Sequence, residues 1–64
     1  MSLRRELIRK LDQADHTLEI AKGYLTEVGL NYYKRDQELS EQFAQVVVAI
    51  EGIQAIIAKL RERM

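Results

Sequence analysis

The chain has 64 residues, with ten basic and ten acidic side chains, no cysteine and no proline. That length permits one small domain, and chains this short usually need a disulfide, a metal or a partner to be stable. Because cysteine is absent, disulfides and thiolate metal sites are excluded. The basic start lacks the apolar segment of a secretory signal, and Glu51 interrupts the most apolar stretch. We therefore expect a cytoplasmic protein without a membrane span.

The first half of the chain repeats apolar residues at alternating spacings of four and three. These residues are Leu7, Leu11, Ala14, Leu18, Ala21, Leu25 and Val28. Such heptad spacing is typical of a helix that buries a narrow apolar stripe. It predicts a first helix over residues 2–28.

A Gly-Leu-Asn sequence follows directly and predicts the turn. Gly29 can adopt the left-handed conformation that ends many helices, and Asn31 is a favoured residue before a helix begins. We therefore predict a turn over residues 29–31 and a second helix over residues 32–63.

The second helix carries its own heptad pattern. Its members are Leu39, Phe43, Val46, Ile50, Ile53, Ile57, Leu60 and Met64. This register does not continue the first one, which favours an antiparallel two-helix hairpin. The slip equals a four-residue insertion, which a coiled coil can absorb, so one long coiled-coil helix is the alternative.

The second helix is also apolar beside this stripe, over more of its circumference than one partner helix can cover. The sequence therefore predicts an all-α hairpin that dimerises into a four-helix bundle and acts as a regulator, adaptor or chaperone through protein–protein contacts. We expect Gly52 to allow close approach of a second helix. A heterologous helical protein is the alternative partner. The predicted interface comprises Phe43, Val46, Val47, Ala49, Ile50, Gly52, Ile53, Ile56, Ile57 and Leu60.

Charge is distributed unevenly although its sum is zero. Folding the hairpin brings residues 1–11 beside residues 58–64, and this open end holds seven basic and two acidic residues. A basic end can bind nucleic acid phosphates, so a nucleic-acid-binding bundle is the alternative function. The residues we expect to make such contacts, or contacts with another partner, are Arg4, Arg5, Arg9 and Arg63 at the open end and Tyr32, Tyr33 and Arg35 at the turn.

The only histidine, His16, has Asp12, Asp15 and Glu19 as helical neighbours. We expect all four side chains to point away from the apolar stripe, as a solvated polar face. Helical metal sites place such residues on inward faces, and catalysis needs a pocket that shifts pKa values. The sequence therefore predicts no catalytic residue, no metal site, no cofactor and no enzymatic activity, and it carries no motif by which we assign a family.

Overall fold

The computed structural model describes residues 3–64 as two antiparallel α-helices packed side by side. Helix α1 spans Leu3–Tyr32 and helix α2 spans Gln37–Arg63. The hairpin measures 53 × 16 × 9 Å, so it is one helix thick. The predicted all-α hairpin is confirmed, and the alternative of one continuous helix is wrong. The predicted helix start at residue 2 lies outside the described residues.

The turn falls four residues later than predicted, because α1 continues through Gly29. No glycine among the described residues has a positive φ, so Gly29 does not cap the helix. It is buried instead, and a Cβ built there would lie 3.1 Å from the Cβ of Phe43. The Ser40 hydroxyl donates a hydrogen bond of 2.9 Å to the Gly29 carbonyl. Gly29 thus lets α2 approach closely, and this packing outweighs its weak helix propensity.

Helix α2 begins after Asp36 rather than after Asn31. Asp36 is extended (φ −150°, ψ 90°), and its carboxylate accepts a hydrogen bond of 3.0 Å from the Leu39 main-chain N–H. That is the usual way in which an aspartate satisfies a free N–H at a helix start. Asn31 lies within α1, where its amide donates to the Glu27 carbonyl at 2.8 Å.

The contact between the helices runs along Leu11, Leu18 and Leu25 of α1 and Phe43, Val47, Ile50 and Ile57 of α2. Ile50 is buried there, and the other six side chains are half-buried. Of residues 3–64, only Gly29 and Ile50 are classed as buried. A single hairpin therefore has almost no interior.

Candidate self-association face

The other apolar position of each heptad is exposed. The large side chains at these positions are 39–48% exposed, and Ala14 is exposed as well. The set consists of Leu7, Ala14, Val28, Val46, Ile53 and Leu60. Ala21 and Leu39 belong to the same series and are half-buried. One part of the apolar stripe thus forms the contact within the hairpin, while the other part is only partly covered by it.

These exposed positions lie on the same broad side of the hairpin. In both helices an exposed residue follows a covered one by three positions, as Ile53 follows Ile50. The exposed side chain is therefore rotated from the covered one by the same angle, in the same sense about each helix axis. Because the helices are antiparallel and face each other, equal rotations bring both sets to one side. We call this surface the apolar face. Its neighbours on that side are uncharged except near the open end, where Lys10 and Arg63 lie; the others are Leu3, Thr17, Tyr24, Asn31, Gln42, Ala49 and Ile56.

The opposite broad side carries an ion-pair network. The Lys22 ammonium lies 3.1 Å from the Glu19 carboxylate, within α1, and 3.5 Å from the Glu51 carboxylate. The pair with Glu51 joins α1 to α2. The amide of Gln54 donates to Glu19 at 3.2 Å, and this hydrogen bond, followed by that from Lys22, holds the pKa of Glu19 below 4.5. The hydrogen bond to Glu19 raises the pKa of Lys22 above 10.5. Polar residues thus connect the two helices on this side of the hairpin, whereas the opposite side carries the apolar face.

The predicted interface residues of α2 divide into two groups. Four of them pack toward α1: Phe43, Val47, Ile50 and Ile57. Five others are exposed on or beside the apolar face: Val46, Ala49, Ile53, Ile56 and Leu60. The heptad pattern did not distinguish these groups, because the spacing alone does not give the rotation of each helix.

Gly52 is exposed and lies on the side of α2 turned away from α1. A Cβ built on it meets no heavy atom within 4 Å, and the same holds for Gly23. No close contact at Gly52 therefore occurs within the hairpin. The close approach of a second helix at this glycine stays a prediction about the assembly.

The basic open end is partly used for contacts within the chain. The Arg4 guanidinium donates to the main-chain oxygen of Met64, and Arg61 forms a two-fold hydrogen bond to Asp12 at 2.7 and 3.3 Å. These contacts agree with the expected juxtaposition of the two ends. Arg5, Arg9 and Arg63 are exposed.

The aromatic residues near the turn are placed differently from the expectation. Tyr32 ends α1 instead of opening the second helix, and Tyr33 lies in the turn. The Arg35 guanidinium lies 6.0 Å from the centre of the Tyr32 ring. Tyr33 and Arg35 are exposed, so these residues form a surface cluster.

The sequence had suggested that the acidic residues around His16 all point to solvent, but in the structure some of them contact α2. Asp12 pairs with Arg61, and Gln54 donates both to Glu19 and, at 3.4 Å, to the Asp15 carbonyl. They therefore help to bind α2 to α1. Among residues 3–64 no group of three such side chains is arranged to hold a metal ion.

An open cleft at the turn end was not anticipated from the sequence, because Gly29 was assigned to the turn. Its floor is formed where Gly29 meets α2. The residues lining it are Leu25, Thr26, Gly29, Leu30, Ser40, Phe43, Ala44, Val47 and Val48.

Helix α2 is also long and apolar enough, by length and composition, to cross a membrane, and its apolar window is not buried in the hairpin. Glu51 does not prevent this, contrary to the expectation from the sequence.

No family model matches the chain, and no curated protein or solved structure is detectably similar to it.

Proposed function

We propose that this chain is a small non-enzymatic interaction module that associates with a second copy of itself through the apolar face. One observation carries this proposal: in both helices one heptad position packs within the hairpin, while most side chains at the other position lie exposed on a single side. In a four-helix bundle each helix has two neighbours, and its apolar stripe points between them. The exposed positions are those that a second hairpin would cover.

The size of the broad side on which the apolar face lies fits this role. This side spans 53 × 16 Å over the whole hairpin, or roughly 850 Å². Stable protein interfaces bury about 800 Å² on each partner. A second copy supplies a face of the same length and the same apolar character, which is the self-complementarity that a two-fold interface requires.

The arrangement of charge supports the choice of this face. Lys22, Glu19 and Glu51 occupy the opposite side, where they stay hydrated in a dimer. Burying such groups is costly unless they are fully paired, whereas the exposed heptad positions of the apolar face carry no charge, and the flanking Lys10 and Arg63 lie at its open end. The same contrast distinguishes a second hairpin from a nucleic acid, which would bind the basic end.

Nucleic acid binding is the alternative function, and the basic residues at the open end are its support. Arg4 and Arg61 already have partners within the chain, however, which leaves fewer free guanidinium groups for phosphates. Phosphate binding weakens steeply as salt rises, whereas association through apolar side chains does not. A titration at low and at physiological salt separates the two functions.

Light scattering and sedimentation of the purified chain test the proposal. We expect a helical dimer at micromolar concentration, and a variant in which Val46, Ile53 and Leu60 are all replaced by serine is expected to be monomeric. A helical monomer of the native chain would overturn self-association. An aggregated or poorly helical native chain that becomes ordered with another protein would instead assign the face to a different partner.

A lipid control addresses the apolar character of α2. The chain is mixed with neutral phospholipid vesicles and sedimented, and we expect it to remain in the supernatant as a dimer. Quantitative recovery with the vesicles would assign the apolar surface to a membrane.

A further inference from the structure

The hairpin is basic at its open end and acidic over the rest of its length. Residues 3–11 and 58–64 form the open end, with seven basic and two acidic side chains. The rest of the chain holds three basic and eight acidic side chains. The contacts of Arg4 with Met64 and of Arg61 with Asp12 show that both basic segments lie at the same end. The molecule is therefore strongly polar along its 53 Å axis.

Two hairpins can place their apolar faces together in two symmetric ways. In one, both turns lie at the same end, and the two basic ends are neighbours. In the other, the turns lie at opposite ends, and each basic end lies beside the acidic part of the other copy. Packed helices are about 8–10 Å apart. That is close to the Debye length of about 8 Å at physiological salt, so repulsion between adjacent basic ends is only partly screened.

The spacing of the apolar positions also fits opposed turns. Leu7, Ala14, Ala21 and Val28 are distributed evenly about the middle of α1, which spans Leu3–Tyr32. Reversing a second copy end for end therefore brings Ala14 level with Ala21 of that copy, and Leu7 level with Val28.

Helix α2 completes these layers. The contacts Lys22–Glu51 and Asp12–Arg61 fix which residues of the two helices are level. By the same offset, Ile53 lies within one residue of the level of Ala21, and Leu60 within one residue of the level of Ala14. Each of the two central layers of the reversed pair then contains two alanines, one isoleucine and one leucine, so small and large side chains are balanced in these layers.

We propose that two copies pack face to face with their turns at opposite ends of the bundle, so that each basic open end lies beside the acidic region of the other copy. This inference rests on the proposed function, because it assumes that a second copy covers the apolar face. It assigns α1 to contact α1 of the second copy, and α2 to contact α2.

Distances between nitroxide spin labels test this orientation, and the absence of native cysteine makes single labels simple to introduce. Lys34→Cys places the label at the exposed turn. Opposed turns predict a separation of roughly 45 Å, the length of 30 residues at 1.5 Å each. Turns at the same end predict roughly 20–30 Å, two or three helix diameters.

His16→Cys is the matched control, because His16 is exposed near the middle of α1. Both orientations place these labels roughly 20–30 Å apart, again two or three helix diameters. A normal distance at residue 16 with a short distance at residue 34 would overturn the orientation and leave self-association intact. The absence of any dipolar coupling at both positions would overturn self-association itself, and the orientation with it.

Discussion

Replacing Ile53 by alanine is the sharpest single test of the apolar face. The Ile53 side chain is 47% exposed in the hairpin, so a second copy has about half of it left to cover. Full burial of an isoleucine side chain is worth about 1.5–3 kcal/mol, and half of that is about 1 kcal/mol in each copy. The dimer contains two such side chains, so we expect a loss of about 2 kcal/mol, or a roughly 30-fold higher dissociation constant.

Val48→Ala provides the matched control. Val48 is also a branched apolar residue of α2 and is 64% exposed, but it lies on the cleft side of the hairpin, away from the apolar face. Its truncation is expected to leave the dissociation constant unchanged. Both variants are measured by sedimentation equilibrium over a range of concentrations, with circular dichroism to confirm equal helix content. Equal dissociation constants for Ile53→Ala and the native chain would refute the assignment of this face, and a weaker dimer for Val48→Ala would move the interface to the other side.

Four further variants test the hairpin itself. Asp36→Ala removes the cap of α2 and is expected to lower the free energy of unfolding by about 1 kcal/mol in urea titrations; an unchanged midpoint would contradict the cap. Gly29→Ala is expected to destabilise, because the new methyl group meets the Cβ of Phe43, whereas Gly23→Ala, with open space around it, is expected to stabilise α1 by up to about 1 kcal/mol; equal gains at both sites would refute the close packing at Gly29. The lowered pKa of Glu19 means that its stabilising contacts are complete above about pH 4.5 and are lost as the pH falls through the folded-state pKa. Glu19→Gln is therefore expected to lose less helicity than the native chain in an acid titration, and superimposable curves would count against this pairing.

Much of the hairpin follows from the sequence because it depends on local spacing. The alternation of four and three from Leu7 to Val28 matches the period of an α-helix and no other regular structure. The slip of register before Leu39 favoured a turn over one continuous helix. The existence of two helices and their antiparallel order were therefore predictable.

The position of the turn was not, because it depends on a contact between residues that are distant in the chain. Gly29 is a typical helix stop when only its neighbours are considered. In the folded chain its missing side chain lets Phe43 and Ser40 approach, so α1 gains contacts by continuing past it. The helix ends at Tyr32, and Asp36 then caps the next one.

Local spacing along the chain specifies the two helices and the amount of apolar surface that each one carries. Which half of that surface faces the other helix follows from how the helices pack, because heptad spacing gives the width of a stripe and not its direction. In the hairpin, Phe43 packs closely at Gly29 and Lys22 pairs with Glu51. At this rotation Ile50 is turned inward and Ile53 is exposed on the apolar face.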